Sequence, residues 1–317
     1  FSIELKSGEV EIRTSVIPGA HGESVVMRIL NPEAIAVSFE DLGMETALRD
    51  LVLAEIVKPN GMLLTTGPTG SGKTTTLYAC LRKVNEAGVK IITIEDPVEY
   101  HLPGIVQTQV DENYTFIGGL RSALRQDPDV IMIGEIRDVD VARTAIDSAL
   151  TGHFVFSTLH TNNAAGSFPR LADFGIDLKV IGSAISVVLA QRLVRKLCPE
   201  CKKETLLAGK NKEQVERVVA AIRNREVVPK NTTVTYEPVG CAKCNNTGYK
   251  GRIGVFEGLL VDPELGQFVR DNPSESDIQT IQRKRGLLTM PEDGVVKVLN
   301  GTTSLEELTR VVSLENY

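Results

Sequence analysis

The run Gly67-Pro68-Thr69-Gly70-Ser71-Gly72-Lys73-Thr74 fits the phosphate-binding pattern GxxxxGK[ST] at every position. Glycines at this spacing let successive backbone N–H groups turn inward around a phosphate. A helix opening at Lys73 adds the partial positive charge of its N-terminus. Thr69, Gly70, Ser71, Gly72, Lys73, Thr74 and Thr75 are therefore the expected phosphate-contacting residues. Lys73 would neutralise the β- and γ-phosphates, and the Thr74 hydroxyl would ligate Mg²⁺. The run follows an expected strand and opens an expected helix, the context that separates a phosphate loop from an incidental glycine-rich turn. The chain is expected to bind a nucleoside triphosphate.

Hydrolysis needs carboxylates as well, one near the metal and one to activate water. The apolar run Val130-Ile131-Met132-Ile133 leads through Gly134 to Glu135, and Ile91-Ile92-Thr93-Ile94 leads to Glu95-Asp96-Pro97-Val98-Glu99. A parallel sheet delivers functional groups at the carboxyl ends of its strands, where these acids fall. Either acidic strand end alone reads as well as solvated carboxylates; two behind a complete phosphate loop read as a site. A third strand, His153 to Thr158, is flanked by His153 and His160, and a polar end of this kind could sense the γ-phosphate. A single histidine is more often packed or on the surface.

The cysteines carry a different chemistry. Cys198-Pro-Glu-Cys201 and Cys241-Ala-Lys-Cys244 are two CxxC knuckles, and Cys80 stands alone. Four thiolates so arranged suit a closed tetrahedral Zn²⁺ site with no open position for catalysis. The 39 residues from 202 to 240 exceed the usual spacing, so the intervening loop is expected to carry its own helix near Lys212–Asn224. A thiol–disulfide pair is the alternative reading.

The elements that must position these groups alternate. Strands are expected at Gly61–Thr66, Val89–Glu95, Val130–Gly134 and Phe154–Thr158, and helices at Glu45–Val57, Lys73–Glu86, Gly119–Gln126, Val139–Leu150 and Lys179–Arg195. Short apolar strands between helices imply an α/β fold with a parallel sheet covered on both faces. Residues 1–30 read as strands broken at Pro18-Gly19 and His21-Gly22, the remnant of a preceding α/β domain, and 31–40 as a linker. The remaining divisions are a nucleotide-binding core at 41–195, a metal-binding subdomain at 196–250 and a helical C-terminal subdomain at 251–317, in which Ser304 and Glu307 suggest a capping box. Phe1 opens the chain without Met or a leader, so a fragment of a longer protein is expected. Of 317 residues, 42% are hydrophobic and 24% charged, which excludes wholesale disorder. No stretch reaches the ~18 apolar residues of a membrane span. The net charge of −6 and 5% aromatics disfavour nucleic acid as the main partner.

Taken in order, Gly67–Thr74, Ile94–Glu99, Leu120–Asp129 with Gly134–Asp138, and Thr151–Asn162 resemble the Walker A, aspartate-box, Walker B and histidine-box segments of the secretion ATPase superfamily. These are the motors of type II secretion and type IV pilus assembly, and the cysteine region and tail extend the likeness to nearly the whole chain. The resemblance implies a RecA-like P-loop core working as a hexameric ring in the cytoplasm. Such a ring hydrolyses ATP and drives an inner-membrane platform protein. It implies Glu99, rather than Glu95, as the base that activates water, Glu135 as the Walker B glutamate in contact with Mg²⁺, and His153 and His160 as the histidine box. Arg13 and Arg28 match arginines that approach the nucleotide from the preceding domain. The tetracysteine set favours an assembly or secretion motor over a retraction motor. The competing readings are a RecA-like DNA translocase or helicase and a zinc-stabilised nucleotide sensor without turnover.

Overall fold

The computed structural model describes residues 2–5, 8–30 and 37–315. Seven strands form the central sheet: β4 (Gly61–Thr66), β5 (Ile91–Glu95), β6 (Val106–Gln109), β7 (Val130–Ile133), β8 (Phe154–Leu159), β9 (Val187–Leu197) and β12 (Tyr249–Leu260). Their order is β12-β9-β4-β8-β7-β5-β6. Every pair from β9 to β6 is parallel, and β12 runs antiparallel to β9. β4, β5, β7 and β8 are buried along their whole length, which is why they read as continuous apolar runs rather than alternating ones.

Side chains alternate between two apolar layers. Leu63 of β4 joins Leu77, Tyr78 and Leu81 of the helix Lys73–Val84, while Met62 and Leu64 join Ala145 and Ile146 of the helix Val139–Leu150 on the other face. Local chemistry starts the helices where they begin: Glu45 accepts the N–H groups of Ala47 and Leu48, and Asp138 accepts that of Val141.

Three differences from the sequence expectations bear on the site. The helix expected over Lys179–Arg195 is a short helix, Leu178–Ala184, followed by β9. The first five residues of β9 are buried on both faces, and such a run has no period that separates strand from helix. The expected boundary at 251 falls inside β12, so the C-terminal segment contributes a core strand before its helices at Pro263–Val269, Glu275–Lys284, Met290–Leu299 and Leu305–Thr309. Ser304 does accept the Glu307 N–H at 3.1 Å. The Glu307 carboxylate does not complete a capping box, because Arg195 (N–H at 3.0 Å, Nε at 2.9 Å) and Arg310 (2.7 Å) hold it at the foot of β9.

At the amino end, β1 (Ser2–Leu5), β2 (Gly8–Gly19) and β3 (Gly22–Leu30) make an antiparallel three-stranded sheet, the hairpin turning at Ala20-His21 as the Pro-Gly and His-Gly breaks imply. Of the expected linker, 31–36 lie outside the described residues. The cysteine region carries a helix at Gly209–Ala221, and β10 (Lys203–Leu206) pairs antiparallel with β11 (Val234–Glu237).

The helices Leu178–Ala184 and Pro263–Val269 cross where Gly182 meets Gly266: a Cβ on Gly182 would stand 2.6 Å from the Gly266 Cα and 2.7 Å from its carbonyl oxygen. Backbone cannot step aside as a side chain can. Gly182→Ala is expected to destabilise the fold by about 1–3 kcal/mol through overpacking, read as a lower denaturant midpoint at unchanged slope.

Candidate nucleotide site and cysteine cluster

β4 ends at Thr66, and the loop Gly67–Gly72 carries the chain into the helix beginning at Lys73. Gly67 (φ 144°), Gly70 (φ 78°) and Gly72 (φ 92°) adopt backbone angles that side-chain-bearing residues resist. Space on β9 adds a second constraint. A Cβ on Gly67 would lie 2.6 Å from the Gln191 carbonyl oxygen, and one on Gly72 would lie 3.0 Å from Gln191 Nε2. Gly70, by contrast, has open space beside it. The loop therefore leans its back on β9 and turns its other side outward, as a cradle for a phosphate requires.

Lys73 Nζ donates to the carbonyls of Gly67 (2.7 Å) and Pro68 (3.2 Å). Burial, aided by the Arg192 charge, pulls the ammonium below its ordinary pKa, while the Glu135 carboxylate pushes the other way.

Glu135 follows β7 at the carboxyl edge, paired with Arg137 and with His160 Nε2 at 3.4 Å. Burial opposes its ionisation, but the Arg137 hydrogen bond and charge, with His160, outweigh that and hold the carboxyl below the usual range. Arg137 also meets Asp96 at 3.4 Å. Glu95 is sealed in: it is 2% exposed and accepts from Tyr78, Thr93 and Gln107. Burial, with the Glu99 charge, raises its pKa against those bonds. Glu99 stays partly open, and its Oε2 lies 3.6 Å from Arg13 of β2, whose guanidinium also donates to the Val98 carbonyl at 2.9 Å. Arg28 stands opposite Arg13 in the β2–β3 register, and its side chain lies outside the described ones.

Lys73, Glu135, His160 and the segment from Glu95 to Glu99 thus share one edge of the sheet. His153 does not join them. It precedes β8, its Nδ1 3.2 Å from the Ser148 carbonyl and its own carbonyl accepting from Gly61 N, at the amino end of β4. The six residues of β8 separate it from His160 by roughly 20 Å. Sequence reading missed Arg137 and Gln191. Arg137 was legible as a cation two residues past Glu135, whereas Gln191 was hidden by the misread β9.

The four cysteine Sγ atoms all lie within 4.8 Å of one another. Cys198–Cys241 and Cys201–Cys244 are 3.9 Å apart and Cys241–Cys244 3.7 Å. A regular tetrahedron with 2.3 Å metal–sulfur bonds has edges of about 3.8 Å. The group fits a metal ion and could hold one. Burial raises the Cys244 thiol, but the N–H groups of Cys241 (3.2 Å) and Gly248 (3.3 Å) donate to its sulfur and bring it down to about 6, toward the thiolate a metal requires. Cys80 is fully buried, which pushes its thiol up to about 12 and leaves it an inert core residue.

A mostly parallel sheet with a glycine-rich phosphate loop and acidic strand ends at one edge defines a P-loop nucleotide-binding protein with a RecA-like core. The chain belongs to the Type II/IV secretion system protein family, which it matches over residues 1–310. It is 43% identical over 313 residues to type II secretion system protein E of Aeromonas hydrophila, a match covering 98% of this chain and 60% of that protein. It is 44% identical over 316 residues to type II secretion system ATPase E of Vibrio cholerae serotype O1 (98% and 60%). Against the type IV pilus assembly ATPase TfpB of Acinetobacter baylyi it is 43% identical over 311 residues (98% and 52%). The chain therefore spans between 52% and 60% of the length of these relatives. Among solved structures it is similar to the pilus retraction motor PilT with bound ADP (TM-score 0.68, 26% identity, 98% of this chain and 76% of that one). The fold is shared with the Legionella pneumophila ATPase DotB (TM-score 0.67, 20% identity, 98% and 75%). No helix among the described residues is long and apolar enough to cross a membrane.

Two outcomes are expected. Arg137→Ala removes the main partner that keeps Glu135 ionised, so the carboxyl titrates higher. Binding that needs the carboxylate is complete above the Glu135 pKa and lost as pH falls through it, so the acid limb of Mg²⁺-dependent nucleotide binding moves upward in pH. Purified protein should carry about one metal ion per chain, released by thiol modification, and Cys244→Ser should abolish retention through dialysis.

Proposed function

We propose that this chain is the motor portion of a hexameric ATPase that powers type II secretion or type IV pilus assembly at the cytoplasmic face of the inner membrane, acting on a platform protein there. The observation that carries the reading is the meeting of the phosphate loop, Glu135 and Glu99 at one sheet edge with an arginine from a separate sheet, Arg13, on Glu99. The relatives named for secretion and pilus-assembly ATPases support the choice of machine.

In this reading the loop N–H groups from Thr69 to Thr75 and the Lys73 ammonium bind the nucleotide's phosphates. Thr74 and Glu135 would hold Mg²⁺, which neutralises charge on the β- and γ-phosphates. Glu99, open to water where Glu95 is sealed, takes the proton from a water molecule as its oxygen attacks the terminal phosphorus. The bond to the bridging oxygen breaks, and ADP and phosphate leave. His160, beside Glu135, registers whether the γ-phosphate is present. Arg13 ties the base to the amino-terminal sheet, so the orientation of that sheet and the state of the site depend on each other, as in the arginine fingers of other nucleotide motors. The four cysteines would hold Zn²⁺, which supplies a structural cross-link and no reaction step.

Lys73→Ala should abolish nucleotide binding. Glu99→Gln should keep binding but lower turnover by about 10²–10⁴-fold, the contribution of a positioned general base. Turnover per chain should rise steeply with protein concentration as rings assemble. An existing slow turnover that neither Glu99→Gln nor Glu135→Gln changes would sink the motor reading.

A further inference from the structure

We propose that Gln191 is the positioning residue of the phosphate loop, holding the Ser71–Gly72 peptide so that the Gly72 N–H faces the nucleotide; this rests on the nucleotide-binding reading above. The β4–β9 ladder ends with Thr66 opposite Ala190, so Gln191 is the residue of β9 reached where β4 gives way to the loop. It is 1% exposed, and its Nε2 donates to the Ser71 carbonyl at 2.7 Å across 120 residues of sequence. The bond fixes the amide's orientation, since only its nitrogen can donate to a carbonyl.

In a trans peptide the C=O and the following N–H point in opposite directions across one plane. A donor pulling Ser71 O toward β9 therefore turns the Gly72 N–H away from β9, to the outer side of the loop. Gly72, at φ 92°, has no side chain to resist rotation, so its orientation has to be imposed from outside. The same residue also fences the loop: its Nε2 lies behind Gly72 and its backbone carbonyl behind Gly67.

Packing does not account for this side chain. Gln191 Oε1 and Ser71 Oγ are both buried without a hydrogen-bond partner. A half-satisfied buried amide costs stability, so an apolar residue of the same length would serve a purely structural role as well or better. What methionine cannot do is hold the Ser71 carbonyl.

The test uses Gln191→Met, which removes donor and orphan acceptor together, and Gln191→Glu, which keeps the shape but offers an acceptor to a carbonyl. Gln282→Met serves as control, another buried glutamine (1% exposed) whose Nε2 bonds the Gly258 carbonyl at 3.1 Å, away from the loop. Two readouts are taken: equilibrium binding of a fluorescent ADP analogue, and hydrogen exchange of the peptide spanning residues 67–76 in nucleotide-free protein. Gln191→Met should weaken binding about 5- to 10-fold, the worth of one hydrogen bond, and speed exchange in that peptide, with a thermal midpoint equal to or above the parent's. Gln191→Glu should weaken binding further, and Gln282→Met should change neither readout. Unchanged affinity in Gln191→Met overturns the proposal, as does weaker binding accompanied by a matching fall in thermal midpoint and faster exchange throughout the chain. If Gln191→Met fails to fold, Gln191→Glu decides on the same two readouts. If the parent chain itself fails to bind ADP, the nucleotide reading falls, and loop exchange alone then decides for or against Gln191.

Discussion

The whole site depends on how closely β9 runs against β4. A Cβ on Gly61, at the start of β4, would lie 2.3 Å from Ser186 Oγ, and one on Gly67, at its end, 2.6 Å from the Gln191 carbonyl. Glycine at its first position and just past its last lets a fully buried six-residue strand sit between β8 and β9 without bending away. The loop that follows then has a wall at its back, and its free side is the carboxyl edge of the sheet. Glu135 and the Glu95–Glu99 segment reach that same edge because β7 and β5 run parallel to β4 two and three places along.

Three glutamates at one edge are given different characters by their surroundings. Glu95 has three protein donors and almost no water, so burial raises its pKa and its oxygens are already engaged. Glu135 is kept anionic by a guanidinium and an imidazole, the state a cation partner needs. Glu99 is partly exposed, and its ion-pair partner belongs to another sheet. Pairs of acids pushed apart in this way mark out separate roles more firmly than their positions in the chain do.

What could be read in the sequence follows from how local the cause is. The phosphate loop, its helix and the apolar strands before Glu95 and Glu135 announce themselves, because glycine spacing and two-sided burial are written in consecutive residues. β9 does not, since Val187 to Ala190 are buried on both faces and carry no period. β12 is disguised by Gly251, Gly254 and Gly258, poor strand formers in isolation. Gly258 faces Leu48, since a Cβ there would come 2.0 Å from Leu48 Cδ1, a contact with a helix 210 residues earlier. The histidines show the same limit. Both flank β8, and only the direction of the strand decides that His160 meets Glu135 while His153 lies at the far end. The cysteine spacing named the cluster, but the donors that favour thiolate, such as the Gly248 N–H, depend on a fold the spacing does not specify.

The C-terminal segment is bound into the central sheet by buried polar atoms rather than by apolar contact alone. Asp293 is 3% exposed, accepts the Phe256 N–H of β12 at 2.7 Å and pairs with Lys297. Glu257 of β12 reaches the N–H groups of Ala164, at 2.9 Å, and Met290, at 3.4 Å. Thr302 and Thr303 bond Leu197 and Arg195 at the foot of β9, one residue short of Cys198. Removing the tail would take away the partners of the Phe256 and Leu197 N–H groups, the Arg195 carbonyl and one Glu257 oxygen, so the nucleotide-binding core cannot be exchanged without replacing them. Strand β9 and the C-terminal residues up to Thr303 are tied together by these bonds, so a chimaera with its seam between them would have to rebuild the core as well as the seam.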